Sequence, residues 1–415
     1  MEEITIEIHH RGLWHQAARY RRDRSLAYDI DYVVQFMDEN HPMARVGLGF
    51  TINFEEYSRN GWPAFLFDII PGGAARAAWF RRHGQLDSED AASDWTLLCY
   101  AASCSPGNLR IASAVERWEP SGHPGFTRNE IIDRNIGFID YAEASGAIVA
   151  GASSVQGQAP KFLLVEDWNG RWHAEGALPD EKIKKHWLVK FPRGRTDADR
   201  LVLRNEAPYY EVARNFGLKV GAPLIYESDA LFIERFDRTV QNGKVVRYGL
   251  ESATSICGQS ASGPGIGNDQ ICHAMARLLE YPQPDIIEFL RRDILNLALG
   301  NVDNHGRNTA YLKTPQTTAL SPLFDFAPMF LDPEGIPRAA RWKAETPMNL
   351  PDWGAVAESI QCRGLAAGEI RAMLRGEVEG VEKLPDTMQQ CGVDFTIIER
   401  LTKRIADLVL SLKAL

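Results

Sequence analysis

The chain has 415 residues, of which 45% are hydrophobic and 24% charged, a composition typical of a globular protein with two or three domains. Its 46 Lys and Arg residues against 55 Asp and Glu residues give a net charge of −9, which excludes a chain that coats nucleic acid or anionic membrane with its whole surface. No apolar run approaches the roughly 20 residues that span a bilayer, and the six scattered cysteines form no CxxC pair, so we expect a cytoplasmic protein with reduced thiols.

Residues 1–135 mix short strands with helices and are predicted to form an N-terminal α/β subdomain. The alternating stretch "ITIEIHHRGLW" predicts a strand. The stretch "GWPAFLFDIIPGGAARAAWFRRHG" predicts an apolar segment, a Pro-Gly turn and a helix that ends near Gly84, and "ASDWTLLCYAAS" predicts a further helix. The loop "PSGHPGFTRNE" marks the approximate end of this region.

Residues 136–236 are predicted to form a β-rich lobe with one helix. Asn169-Gly170 between two apolar runs predicts a hairpin, and "HWLVKFPRG" and "ALFIERFDR" predict strands. The helical stretch "RLVLRNEAPYYEVARNFGL" contains Pro208, which a helix tolerates only in its first turn, so we expect this helix to begin near Asn205.

Residues 237–415 are predicted to form a mostly helical lobe. A second hairpin at Asn242-Gly243 opens the region. Farther along, "PDIIEFLRRDILNLALG" and "FTIIERLTKRIADLVLSL" place apolar residues at helical spacing and predict helices that face a core. A small β-rich lobe before a larger helical lobe is the outline of a two-lobed nucleotide site.

The stretch "GNVDNHGRNTAYL" places Asp303, His305 and Asn308 together, and "SPLFDFAPMF" sets Asp325 between two phenylalanines. A phosphoryl transferase needs an acid near the attacking hydroxyl, which Asp303 would supply, and oxygen ligands for Mg²⁺, which Asn308 and Asp325 would supply. A helix C-cap and turn after Gly300 would also explain the first stretch. That simpler reading does not explain Asp325, because a largely buried carboxylate needs a partner.

Two further parts of a phosphate site have candidates. The loop "GASSVQGQAPK" carries Gly151 and Gly157, which would let backbone N–H groups approach phosphates; alone, it is more typical of an ordinary turn. Lys190 ends an apolar strand and would lie on the nucleotide phosphates, with Glu206 as its ion-pair partner. The alternative for Lys190 is a strand-end lysine in water. For His305 we favour a structural hydrogen-bonding role over direct catalysis.

The set of motifs resembles the HipA family, serine/threonine kinases that act as toxins of type II toxin–antitoxin systems. The resemblance rests on these stretches, in the family's order: "FLFDIIP", "SSVQGQAPKFLLV", "WLVKFP", "RNEAPYYEVARNFGL", "LFIERFDR", "GNVDNHGRN" and "FDFAP". It implies an α+β, two-lobed protein-kinase-like fold, with a β-rich N-lobe, a helical C-lobe and an added N-terminal α/β subdomain.

The resemblance also implies roles for particular residues. Asp303 and Lys190 would be catalytic, Asn308 and Asp325 would hold Mg²⁺, and Ser154, with Ser153 beside it, would be an inhibitory autophosphorylation site. The residues implied to contact ATP are Ser154, Val155, Gly157, Lys161, Lys190, Glu234, Phe236, His305 and Asn308.

Partners follow from the same resemblance. The expected substrate is a protein of translation such as an aminoacyl-tRNA synthetase, and a separate HipB-like helix-turn-helix antitoxin would carry DNA contact. The basic stretch "PRAARWK" (337–343) is a second candidate for DNA contact, although we favour a solvated or substrate-facing loop. One alternative is a catalytically weak corepressor that works with the antitoxin. Another is a lipid kinase, which the absence of an obvious basic or amphipathic membrane-facing segment disfavours.

Overall fold

The computed structural model describes residues 1–58, 61–118, 122–145, 160–259, 265–345 and 350–415. The chain forms two compact units. The first unit contains Met1–Gly194, Ile225–Glu251 and Leu312–Thr317, and the second contains Arg195–Leu224, Ser252–Tyr311 and Thr318–Leu415. The predicted boundaries at 135 and 236 stay a prediction. No helix in the described ranges combines the length and the apolar character that crossing a membrane requires.

The first unit opens with a five-stranded antiparallel sheet of order β4-β3-β2-β1-β5. The predicted first strand is confirmed, and its isoleucines at positions 4, 6 and 8 are buried because alternate residues of a strand share one face. The strands are β1 Glu3–His10, β2 Leu13–Arg21, β3 Ser25–Tyr28, β4 Glu56–Ser58 and β5 Leu109–Ile111.

Five helices accompany this sheet and share its core. The two predicted in this region are confirmed. One ends just before Gly84, and the other begins where the Asp90 carboxylate accepts the N–H groups of Ala92 and Ser93. The helices are α1 Ile30–Phe36, α2 Leu66–Ile69, α3 Gly73–Arg82, α4 Ala91–Ala101 and α5 Ala112–Glu116.

A second five-stranded sheet, of order β7-β6-β8-β10-β9, also belongs to the first unit. Phe138 and Tyr141 of a neighbouring helix pack with Phe162 and Val189 of the sheet in one buried cluster. The predicted hairpin at Asn169-Gly170 is confirmed. The elements are α6 Arg128–Ile132, α7 Ile136–Ala144, β6 Lys161–Asp167, β7 Trp172–Ala174, β8 Ile183–Lys190, β9 Ile225–Glu227 and β10 Ala230–Glu234.

The second predicted hairpin is confirmed as β11 Arg238–Gln241 and β12 Lys244–Arg247. Asn242 and Gly243 both adopt positive φ, +52° and +72°, as the two-residue turn of a right-twisted hairpin requires. Three short strands, β13 Gly249–Ser252, β14 Ala310–Lys313 and β15 Thr318–Leu320, form a further sheet in that order.

The second unit is mostly helical, as predicted. The two long amphipathic helices of the sequence are present as α11 and α16, and each directs its apolar stripe inward. The helices of this unit are α8 Asp197–Asn215, α9 Ala253–Ile256, α10 Asn268–Leu278, α11 Pro282–Leu299, α12 Trp353–Ser359, α13 Ala367–Gly376, α14 Val378–Glu382, α15 Leu384–Gln390 and α16 Phe395–Lys413.

The predicted start of α8 near Asn205 is wrong. The helix begins at Asp197, because the Thr196 hydroxyl accepts the Asp199 N–H while the Asp199 carboxylate accepts the Thr196 N–H. Pro208 therefore lies inside the 19-residue helix and not in its first turn. Proline supplies no N–H there, so the backbone carbonyl one turn earlier lacks its usual helical donor.

Candidate active site

The loop after α11, residues 300–309, carries the predicted acid and amide. Gly300 ends the helix with a left-handed backbone at φ +67°, and both its N–H and that of Asn301 donate to the Asn296 carbonyl. A Cβ on Gly300 would lie 2.6 Å from Phe330 Cδ1. The helix C-cap expected from the sequence is therefore real, and it directs the chain into the loop.

Three predicted residues meet in this loop. The Asn308 side-chain N–H group donates to the Asp303 carbonyl at 2.8 Å and lies 3.4 Å from the Asp303 carboxylate. The Asn308 backbone N–H donates to the His305 carbonyl at 2.8 Å and lies 3.2 Å from His305 Nδ1. His305 Nε2 lies 3.5 Å from Asp303 Oδ1. The turn thus holds a carboxylate, an imidazole and an amide in mutual contact.

The buried amide oxygens of Asn268, Asn301 and Asn308 line one cavity and have no hydrogen-bond partner among the described residues, and that of Asn308 belongs to the loop. Asn308 is 9% exposed, and its Oδ1 is buried without a hydrogen-bond partner among the described residues. A buried acceptor left unpaired is costly, so such atoms in native proteins serve a bound water, ion or ligand. A neutral oxygen at this place fits a Mg²⁺ ligand.

Asp325 supplies the second predicted ligand and has an unusual backbone. Its φ is +54°, a left-handed conformation that costs a non-glycine residue roughly 1–2 kcal/mol. Its neighbour Phe324 lines the same cavity of about 20 Å³ as Asn308. Asp325 is half-buried and not largely buried as expected, while Phe326 beside it is 1% exposed.

A metal at this place would have few protein ligands. Within the described ranges there is no group of three or more His, Cys, Asp and Glu side chains that could hold a metal ion. Mg²⁺ is commonly held by one or two protein oxygens, with water and phosphate completing its shell. Asn308 and Asp325 are consistent with that number of protein ligands.

Gly306 fixes the loop against the start of α9. A Cβ there would lie 2.2 Å from Ile266 Cδ1 and 2.8 Å from Thr254 Oγ1, so no larger residue fits without a shift. The Gly306 carbonyl accepts the Thr254 N–H at 3.2 Å, and the Thr309 carbonyl accepts the Ala253 N–H at 2.7 Å. The loop is therefore bonded to its support on both sides of Asn308.

Sequence reasoning missed Tyr209 of α8. Its hydroxyl donates to the Leu299 carbonyl at 3.0 Å, and its ring centroid lies 5.6 Å from that of Phe326. Burial raises the pKa of this hydroxyl well above its usual value, so it stays a donor. Tyr209 thus contacts the end of α11 and the residue after Asp325. In the sequence, it has the ordinary appearance of an aromatic core position in a helix.

The first unit holds the lysines. Lys190 ends β8 at 2% exposure, which excludes the strand-end lysine in water. Its cross-strand partner in β6 is Lys161, so two cationic side chains share one face of the sheet. Glu206 belongs to the second unit, and its pairing with Lys190 stays a prediction.

The segment "ERFDR" holds a buried ionic network that sequence reasoning did not foresee. Arg235 donates to Asp237 at 2.6 and 2.9 Å and to Glu175 at 3.0 Å. Asp237 also accepts from Arg238 and from the Gly107 N–H, both at 2.8 Å. Burial alone would raise the pKa of the Glu175 carboxyl, but the neighbouring positive charges lower it.

The proposed adenine contacts adjoin this network. The Glu234 carboxylate accepts a hydrogen bond from Lys185 at 2.7 Å. In the sheet, Glu234 of β10 stands directly opposite Trp187 of β8. In the sequence, Phe236 lies between Arg235 and Asp237 of the network. The role of the Glu234 and Phe236 backbones at the nucleotide stays a prediction.

Most of the predicted phosphate loop lies outside the described residues. Gly151, Ser153, Ser154, Val155 and Gly157 belong to that stretch. Their predicted contacts with ATP, and the regulatory phosphorylation, are therefore untested. Of the predicted loop, Pro160 and Lys161, the first residue of β6, are described.

The basic stretch 337–343 differs from the solvated loop that was favoured. Arg338, Ala340 and Trp342 are buried, while the residues between them are exposed. Asp293 binds Arg338 with both carboxylate oxygens at 2.7 Å. The stretch is therefore a fixed part of the second unit, with one buried face.

The fold is of the two-lobed kinase-like class. The HipA toxin in the Shewanella oneidensis MR-1 complex of HipA, HipB and operator DNA has the same fold. The superposition covers 99% of this chain and 97% of that one, with a TM-score of 0.65 at 17% sequence identity. The predicted α+β, two-lobed kinase-like fold class is confirmed.

The chain belongs to the HipA-like C-terminal domain family, whose profile matches residues 153–384. It is 25% identical over 316 residues to "Toxin YjjJ" of Escherichia coli, an alignment that covers 70% of this chain and 66% of that protein. It is 29% identical over 168 residues to "Putative kinase Y4mE" of Sinorhizobium fredii, covering 38% of each chain. The chain thus spans just under two thirds of the first relative's length. The predicted family is confirmed.

Proposed function

We propose that this protein is an ATP- and Mg²⁺-dependent serine/threonine protein kinase that acts as a toxin. The observation that carries the proposal is the 300–309 loop, in which Asn308 contacts Asp303 and keeps a buried amide oxygen unpaired. Family membership and the names of the two relatives support a toxin or kinase class. The serine/threonine specificity is our inference.

The residues divide the work of phosphoryl transfer. Asp303 orients the acceptor hydroxyl and takes its proton, while Lys190 and Lys161 neutralise phosphate charge. Asn308 and Asp325 would hold Mg²⁺, which offsets charge on the phosphates when it is bound. The backbones of Glu234 and Phe236 would meet the adenine. His305 would stay close to the nucleotide through its contact with Asp303.

Regulation and partners complete the proposal. Phosphate on Ser154 or Ser153 would compete with ATP phosphates and shut the enzyme off. The acceptor would be a translation protein such as an aminoacyl-tRNA synthetase, in the cytoplasm. A separate HipB-like antitoxin would bind the chain and carry its contact with DNA. The Shewanella structure, in which a HipA occurs with HipB and operator DNA, supports this partner.

The substitution Asp303→Asn tests the proposal. It keeps the size and most contacts of the side chain but removes the acid, so Mg·ATP affinity in calorimetry should stay within about twofold while phosphate transfer falls roughly 100-fold or more. Asp197→Asn, at an exposed helix start, is the matched control and should change neither quantity. Full transfer activity in Asp303→Asn would refute the catalytic assignment. ATP binding without transfer in the parent protein would favour the corepressor.

A further inference from the structure

Residues 337–343, here called the strip, have alternating burial. Arg338, Ala340 and Trp342 face the interior, whereas Pro337, Ala339, Arg341 and Lys343 face outward. Period-two burial is the pattern of a strand with one covered face. The strip is assigned to no sheet, so its backbone hydrogen bonds go to other groups.

One of those groups is the side chain of Asn304, the residue after Asp303. Its Nδ2 donates to the Ala340 carbonyl at 2.9 Å, and its Oδ1 accepts the Ala340 N–H at 3.1 Å. The side-chain amide thus makes the pair of bonds that a neighbouring strand would make. In addition, the Ala339 N–H donates to the Val302 carbonyl at 3.0 Å. The strip is therefore bonded to the loop immediately before and immediately after Asp303.

Asp293 of α11 binds the buried side chains of the strip. Both of its carboxylate oxygens accept from Arg338 at 2.7 Å, and Oδ2 also accepts from Trp342 Nε1 at 2.7 Å. Asp293 is 2% exposed, and Arg338 forms a second ion pair with Glu345. A buried charge pair with this many bonds fixes geometry, because loss of one partner leaves the other charge uncompensated.

The far end of the strip is bonded to α10. The Arg341 carbonyl accepts the Asn268 N–H at 2.9 Å, and the Lys343 N–H donates to the Asp269 carboxylate at 2.8 Å. Asn268 and Asn304 also line the cavity that Asn308 and Phe324 share. The strip is thus held along its length, and Asn304 is its side-chain link to the loop that carries Asp303.

We propose that Asn304 is a positioning residue, which fixes the Asp303 carboxylate relative to the strip. This inference rests on the proposed kinase function. Transfer requires reacting groups in near-attack geometry, and a displacement of about 1 Å can cost roughly 100-fold in rate. Asn304 touches neither the acceptor nor the phosphate in this role. It acts by limiting the movement of the neighbouring acid.

The substitution Asn304→Ala tests the role, with Asn205→Ala as the matched control. Asn205 is also a buried amide with one donated and one accepted backbone bond, to the Leu201 carbonyl and from the Asp394 N–H, each at 2.8 Å. Both variants should lose similar thermal stability. At temperatures where both are folded, Asn304→Ala should lower kcat by about tenfold or more with KM for ATP within about twofold, and Asn205→Ala should leave kcat within about twofold.

Deuterium exchange gives a readout that needs no activity. In Asn304→Ala, exchange should rise together in peptides from the 300–309 loop and from the strip; in Asn205→Ala, it should rise in neither. If Asn304→Ala folds poorly, Trp342→Phe replaces it in this experiment. Trp342→Phe keeps an aromatic ring but removes one hydrogen bond to Asp293, so exchange should rise in the same peptides by a smaller amount.

Two outcomes would overturn the assignment, and a third would overturn the proposed function on which it rests. Equal kcat in the two folded asparagine variants would show that Asn304 only contributes stability. Faster exchange confined to the strip would show that the loop is held by other contacts. A parent protein that binds Mg·ATP but transfers no phosphate would defeat the proposed function itself, and the exchange experiment would still decide whether Asn304 couples the two segments.

Discussion

At the scale of single residues, Asp325 is notable for its backbone and its sequence neighbours. It has a left-handed backbone at φ +54°, and in the sequence it stands between Phe324 and Phe326. Glycine would adopt that backbone without strain. Aspartate is one of the few other residues that adopt this region readily, so the position can carry a carboxylate, as the proposed Mg²⁺ site requires.

The substitution Asp325→Asn separates the carboxylate from the backbone. Asparagine tolerates the left-handed region about as well as aspartate, so the melting temperature should change by only about 2 °C or less. The Mg²⁺-dependent part of ATP affinity should fall on the order of tenfold, because a negative ligand is lost. Calorimetric titration of ATP with and without Mg²⁺ measures this.

Asp229→Asn is the control for that experiment. Asp229 has φ +62° in the turn between β9 and β10, so it shares the backbone conformation of Asp325 at another place. Its substitution should leave Mg·ATP affinity unchanged. An Asp325→Asn protein that binds Mg·ATP as tightly as the parent would remove Asp325 from the metal site.

The sequence predicted which residues the loop brings together, but not their hydrogen bonding or backbone conformation. The spacing of Asp303, His305 and Asn308 was sufficient to bring them together, because a five-residue turn leaves few other arrangements. The unpaired oxygen of Asn308 and the φ of Asp325 could not be predicted, because the spacing of a motif specifies neither the partners of one atom nor a backbone angle. Tyr209 was missed because its partner Leu299 lies 90 residues away.

At the scale of elements, the buried network of "ERFDR" joins β10 and β11 to distant parts of the first unit. Its members Arg235, Asp237 and Arg238 are all under 9% exposed, and they reach Glu175 and the 105–107 turn. The network fixes the strand that carries the proposed adenine contacts.

Removal of Asp237 should be strongly destabilising. Asp237→Ala leaves two buried arginines short of negative charge, so the free energy of unfolding should fall by about 3–5 kcal/mol. Glu234→Ala breaks a partly exposed pair with Lys185 and should cost about 1 kcal/mol or less. Urea denaturation of both variants measures the difference. Similar losses in both would mean that the network does not stabilise this strand.

Hairpins and capped helices differ in how far local sequence determines them. Asn169-Gly170 and Asn242-Gly243 specify their turns directly, and both predictions were confirmed. The start of α8 was missed because Pro208 was given more weight than the capping box at Thr196. The ionic network was out of reach of local reasoning, since Glu175 and Arg235 are 60 residues apart.

At the scale of the whole molecule, two adjacent histidines link folding to pH. Burial lowers the pKa of His9 to about 4, with the charges of Arg247 and Arg110 acting in the same direction and Asp180 against it. Burial lowers the pKa of His10 to about 4 as well, with Arg11, His41 and His15 in the same direction and Glu39 against it. Both side chains are therefore neutral in the folded protein at neutral pH.

Acid should destabilise the fold through this pair. The unfolded state takes up protons near pH 6.5 and the folded state only near pH 4, so the unfolding free energy is highest above pH 6.5 and falls between these values. Each histidine contributes on the order of 1 kcal/mol per pH unit. Urea denaturation at pH 7.5 and 5 measures the loss, and His10→Phe, which keeps the ring packing on Phe36, should reduce it. Equal pH dependence in this variant would contradict the assignment.

The division into two units could not be predicted from the order of the chain. In the sequence, Arg195–Leu224 stands between strands of the first unit, yet it belongs to the second unit. Leu312–Thr317 belongs to the first unit although its sequence neighbours on both sides belong to the second. Reading along the sequence places a boundary where composition changes, whereas units are set by contacts between distant segments. The fold class was nevertheless within reach, because several spaced motifs agreed on it.

The central claim is phosphoryl transfer by the 300–309 loop, and incorporation of label from γ-labelled ATP tests it most directly. Freshly prepared, unphosphorylated protein and Asp303→Asn would be incubated with Mg²⁺, and the label would be located by mass spectrometry. We predict label on Ser153 or Ser154 in the parent protein and none in the variant. Absence of label from a parent protein that binds Mg·ATP, or equal label in both proteins, would contradict the account.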